Sequence, residues 1–126
     1  MRVRAGYLVA AAGAAYTAFR HVVQGTPVIG LPIQRAEALG PAVRWMGYYV
    51  WHMASAAVVL MALGFLWAAL RPEARPVGLF LTVLAAAFAG LALWITLSAG
   101  FALQKVFPLR AFTVIALGGG FSSVRR

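Results

Sequence analysis

The sequence has no cysteine and only two acidic residues, Glu37 and Glu73. Without cysteine there is no disulfide, no thiolate nucleophile and no thiolate metal ligand. The two carboxylates fall on opposite sides of the membrane expected below, so they form no general acid–base pair. The sequence holds no G-x-S-x-G, no P-loop and no H-E-x-x-H, and soluble-type hydrolysis, phosphoryl transfer and nicotinamide chemistry lose their motifs with them. No carboxylate falls inside an apolar run, which argues against a proton-coupled pump. Charge of any kind is scarce at 10% of residues, against about 25% in a soluble domain.

What is there is apolar: 63% of 126 residues. Such a chain cannot cover its apolar surface in water and need not do so in a bilayer. The net charge of +9 comes from Lys and Arg that punctuate apolar runs. Basic residues placed like that fit headgroups and topology control, and they form no hydrophilic face for nucleic acid.

Ala5–Gln24 is long enough for roughly 30 Å of helix. Gly6, Ala10 and Ala14 recur at spacing four and allow another helix close approach. A basic start and small residues around Ala12–Ala15 also fit a signal peptide; we read the stretch as an uncleaved span. Residues 25–44 hold three prolines and three glycines and read as an interfacial linker or a lid, with one short turn at Glu37–Gly40. Trp45–Leu70 is the second span, opened by an aromatic belt of Trp45, Tyr48, Tyr49 and Trp51. A turn at residues 71–76 returns the chain into a third span, Val77–Leu97. A turn carrying Lys105 leads to a fourth, Leu109–Val124, short at about 24 Å. Arg110 and Arg125 are expected to snorkel outward at its two ends.

Four spans put both termini on one side, with Arg2, Arg4, Arg71, Arg75, Arg125 and Arg126. Arg20, Arg35, Arg44, Lys105 and Arg110 fall on the other. The basic start favours cytoplasmic termini.

The two histidines, His21 and His52, stand in matched settings. Thr17, His21 and Gln24 are spaced four and three apart, as are Tyr48, His52 and Ser55, so each triplet shares a helix face. His21 is about 5 Å from the end of its span and His52 about 11 Å from the start of its own. Two polar faces at one depth are expected to meet in a pocket between spans one and two. One reading makes the histidines interfacial groups that hold the helices together. A second makes them ligands of haem b, with Arg20 and Tyr48 also at the cofactor. A third gives the pocket ligand or proton handling. No dedicated metal site is expected, because two histidines without an acidic neighbour fall short of three or four ligands. Arg20 sits inside the first span, either snorkelling to headgroups or holding an anionic group. Trp94 and Ser98 on the third span either close the pocket or belong to the belt.

His21-Val22-Val23-Gln24-Gly25, Leu31-Pro32 and Trp51-His52 together resemble a family of small bacterial four-span membrane proteins of unassigned function. In that family the first span ends in a histidine followed four residues later by glycine, and the second opens with Trp-His. The likeness covers about the first half of the chain. Val22 stands where the family has serine, which removes a small hydroxyl beside the first histidine. The resemblance implies four helices and a bacterial inner membrane, and it brings no activity.

The expected fold is therefore all-α, a four-helix transmembrane bundle forming a single domain. The leading functional expectation is a non-enzymatic accessory or oligomerising subunit, self-associated or bound to another membrane chain through its small-residue faces. The alternatives are a haem- or metal-binding redox protein using His21 and His52, and a small lipid- or solute-handling transporter.

Overall fold

A computed structural model describes residues 4–100, 102–103 and 106–124. Among these the regular structure is all helical, without a strand. Arg2, Lys105, Arg125 and Arg126, counted in the topology above, lie outside the described residues.

The first rod is longer than the expected span. Helix α1, Ala5–Phe19, runs into a π-helical segment, Arg20–Gly30, and then into α2, Leu31–Arg35. The junction residues Phe19, Arg20, Gly30 and Leu31 all keep right-handed helical dihedrals, so the rod is continuous. This corrects the linker expected at residues 25–44. Pro27 sits inside the π-helical segment and Pro32 stands in the first turn of α2, and each leaves the continuous rod one N–H donor short. Only residues 36–40 leave the helix, with Leu39 N–H closing a turn onto the Ala36 carbonyl at 2.9 Å.

Helix α3, Pro41–Leu70, has 30 residues, about 45 Å, and overshoots a bilayer core of about 30 Å. Pro41 opens it, four residues before the expected start, just after the non-helical Gly40, where the helix requires no N–H. A 3-10 turn at Pro72–Ala74 leads to α4, Arg75–Ser98, and the last helix is α5, Phe107–Val124. Of the described helices, α3 (Pro41–Leu70) and the stretch Pro72–Ser98 that contains α4 are long and apolar enough to cross a membrane.

Helix α1 packs between α3 and α5, α5 packs between α1 and α4, and α3 meets α4 over a smaller contact. Neighbours run antiparallel. Arg4 N–H reaches the Ala69 carbonyl at the far end of α3, Gly6 faces Gly118 of α5, and Gly119 faces Thr82 of α4. A methyl group on Gly6 would run into the Gly118 carbonyl and the Ser122 hydroxyl. The small face of α1 is thus spent inside the chain, with Ala10 and Ala14 fully buried. In lipid, close packing of this kind carries helix association, because tails outside are as apolar as leucine inside.

The termini end of the bundle is solid. Tyr7, Met61, Phe65 and Ile115 are fully buried there. Tyr7 N–H, in the first turn of α1 where donors lack helical partners, donates to Ser122 Oγ at 3.0 Å. The Ser123 hydroxyl donates to the Gly119 carbonyl, so the Tyr7 hydroxyl donates to Ser123 Oγ at 2.9 Å. Arg75 donates to the Ser123 carbonyl at 2.7 Å.

Candidate functional site: an apolar cavity with a cation in its wall

At the opposite end the bundle is hollow. Helices α3 and α4 meet near their connecting turn, where Leu81 and Val77 face Gly64. Toward the start of α3, a cavity of about 690 Å³ lies between them, walled also by the π-helical segment and the first turns of α5. That volume is within the roughly 300–1,000 Å³ usual for ligand pockets. Its walls are almost wholly apolar, including Trp51 and Val58 of α3, Phe88 and Ile95 of α4, and Phe107 and Phe112 of α5.

Among the described residues the polar exceptions come from the first rod: Thr17, Arg20, His21 and Gln24. Thr17 is already engaged, its hydroxyl donating to the Gly13 carbonyl at 2.7 Å. Arg20 places its guanidinium carbon 4.5 Å from the centre of the Phe107 ring, a cation–π contact. No ion pair involves it among the described residues, and Glu37 and Glu73 are exposed elsewhere.

His21 is held from behind. Its Nδ1 lies 3.0 Å from Ser55 Oγ, and its ring stacks on Trp51 with centroids 3.9 Å apart and planes 17° apart. The Ser55 hydroxyl donates to the Trp51 carbonyl at 3.2 Å, so Nδ1 is the donor to Ser55 and Nε2 is the basic nitrogen. Trp51 in turn donates its indole N–H to Thr26 Oγ1 at 3.0 Å. Its ring lies against Gly25 and Gly30. In a helix whose bonds run from i to i+5, these two glycines share a face, and the indole occupies the room their missing side chains leave.

The two histidine triplets therefore join through His21 and Ser55. Thr17, His21 and Gln24 line the cavity, while Tyr48, His52 and Ser55 do not. Tyr48 and His52 pair edge to face at 4.5 Å, and His52 is exposed. The spacing argument grouped Tyr48, His52 and Ser55 on one helix face, but Ser55 also shares a face with Trp51 and Val58. The second turns inward, because it carries the larger ring and an indole donor that meets Thr26. Trp51 is thus a packing residue and not part of the aromatic belt, whereas Trp45 and Tyr49 are exposed. Trp94 and Ser98 are exposed and stand off the cavity, which Leu91 and Ile95 line in their place.

For the haem reading, the geometry sets Trp51 against one face of His21 and His52 on the outer side of α3, so the imidazoles do not oppose one another across the cavity. Among the described residues no three His, Asp or Glu side chains gather at one point. The phenylalanines that shape the cavity had no mark in the sequence, since an aromatic ring on an apolar helix looks alike whether it faces lipid, core or ligand.

Compared with known proteins, the chain matches no family model, no curated protein and no solved structure.

Proposed function

We propose that this is a four-span protein of a bacterial inner membrane, termini cytoplasmic, that binds one anionic single-chain amphiphile in the cavity. The observation that carries the reading is Arg20: a cation in the wall of an apolar cavity, with a ring beneath it and no carboxylate to answer it. An uncompensated charge at membrane depth is costly, and such residues face a bundle interior or a pathway. An anionic head beside Arg20, with Gln24 and His21 as further polar contacts, supplies the missing partner. The apolar walls then take the tail. The outer surface supports the membrane setting: Phe80, Val83, Leu97 and Leu117 each leave more than 60% of their surface exposed, an apolar exterior that a soluble monomer does not carry. The resemblance noted above points to the same setting.

The test is binding of decanoate and of a single-chain phosphate, a lysophosphatidate, to delipidated protein in neutral detergent. Arg20→Gln keeps length and polarity and removes the charge. We expect about a tenfold or larger loss of affinity in the variant, the worth of a charge-assisted hydrogen bond. Preference for one probe assigns a carboxylate or a phosphate head. Equal binding by wild type and variant, or none by either, overturns the reading. Protein that holds no amphiphile yet co-purifies with another membrane chain favours the accessory subunit instead.

A further inference from the structure

We infer that the cavity measures the tail of its ligand, and that the Phe88–Phe112 pair is the stop. The inference rests on the amphiphile reading and adds to it the class of tail: linear and short.

The cavity ends at one level on all four rods. Its innermost wall residues are Thr17 on α1, Val58 on α3, Phe88 on α4 and Phe112 on α5. Three residues further in on each helix stand Ala14, Met61, Ala85 and Ile115, and all four are fully buried. One helical turn thus separates open space from solid core. Phe88 and Phe112 meet edge to face there, with centroids 5.1 Å apart and planes 79° apart, and both pack down onto the core. Two flat side chains crossed at nearly a right angle leave no slot for a tail to thread.

Arg20 sets the other end of the ruler. Its guanidinium sits over Phe107, five residues before Phe112, and Ile95 stands seven residues from Phe88. The path from head to floor is therefore about 8 Å along α5 and about 10 Å along α4. An extended decanoyl tail covers that distance, and a stearoyl tail must fold back or leave by the open side. In a membrane the tail gains nothing from escaping water, because it comes from lipid or detergent of equal polarity. Selection by length must then arise from steric fit, and a rigid floor is what supplies it.

The experiment compares octanoate, decanoate, myristate and stearate on the purified full chain in detergent, with wild type, Phe88→Ala, Phe112→Ala and Ala92→Phe. Wild type is expected to bind stearate at least about fivefold more weakly than decanoate, the low end of an overpacking penalty. Removing either phenyl group should shrink that ratio at least about threefold by opening the next turn. Ala92→Phe raises the obstruction by about one turn and should move the preference the other way, toward octanoate. Phe88→Leu and Phe112→Leu, which keep most of the volume, give intermediate ratios and stand in where an alanine variant does not fold. A length profile unchanged in all these variants overturns the inference while decanoate binding through Arg20 stands. Loss of all binding in wild type overturns both.

Discussion

The two ends of this bundle are built from the same four rods and differ in almost every other respect. At the termini end, glycine meets glycine between α1 and α5, and Tyr7, Phe65 and Met61 fill what remains. Most of its polar groups are answered: Ser122 takes a first-turn donor of α1, Ser123 takes the Tyr7 hydroxyl, and Arg75 donates to a carbonyl of α5, while Arg4 Nη1 is buried there without a hydrogen-bond partner. At the other end a cavity of about 690 Å³ lies between α3 and α4, and among the described residues Arg20 has a cation–π contact with Phe107 and no ion pair. A helix bundle closes wherever small residues let backbones approach. It stays open where large side chains on neighbouring rods hold the helices apart, as Trp51, Phe88, Phe107 and Phe112 do here.

The sharpest way to break the contrast is to disturb the solid end. A Cβ on Gly118 would lie 3.0 Å from the Gly6 carbonyl oxygen and 3.3 Å from the Ala10 nitrogen. Both are backbone atoms and cannot swing aside. Gly118→Leu should cost about 3 kcal/mol or more, read as a large fall in thermal unfolding temperature in detergent. Gly90 meets nothing within 4 Å and lies on the outside of α4. Gly90→Leu should stay within about 0.5 kcal/mol of wild type. Equal effects at the two glycines would mean that the Gly6–Gly118 approach is not what holds α1 to α5.

A smaller effect is expected where the hollow end is stapled. Trp51→Phe removes the indole donor to Thr26 and leaves space against Gly25 and Gly30. A lost hydrogen bond and a partly emptied contact amount to about 1–2 kcal/mol. The consequence should be local. Amide exchange should quicken across residues 20–35 and stay unchanged around Tyr7, because Trp51 packs on His21, Gly25, Thr26 and Gly30, at the other end of the first rod from Tyr7. Faster exchange throughout would show that the bundle opens as one unit and that the staple is not confined to the cavity end.

The sequence shows the helical class, the positions of the rods and the turn at residues 71–76, because those follow from apolar runs too long for anything else. It shows the small-residue face of α1 through Gly6, Ala10 and Ala14, although not that α5 would be the helix to take it. The break at residues 25–44 is misread. Pro27 and Gly25 are breakers in an α-helix, but a π-helical register accommodates the proline and turns Gly25 and Gly30 toward Trp51. No local pattern announces that register, since it depends on a tryptophan more than twenty residues away. The polar face of the first rod is legible from the spacing of Thr17, His21 and Gln24. Its partner is not, because Ser55 closes two overlapping faces of α3 and only packing decides which one turns in. The cavity floor is the least legible part, for Phe88 and Phe112 find each other across two helices.

The finest test asks how much of the solid end rests on hydrogen bonds and how much on shape. Tyr7→Phe keeps the ring, which packs against Gly78 and lies 5.9 Å from Phe65. It removes only the hydroxyl that reaches Ser123. Ser123 keeps its own bond to the Gly119 carbonyl, so no buried donor is left unanswered. The loss should lie near the low end of a neutral hydrogen bond, about 0.5–1 kcal/mol. Tyr7→Ala should cost about 3 kcal/mol or more, because the ring is fully buried and its removal opens a void. Thermal unfolding of both variants gives the ratio directly. A Tyr7→Phe loss as large as that of Tyr7→Ala would mean that the Tyr7–Ser123 bond, and not the packing of the ring, closes this end of the bundle.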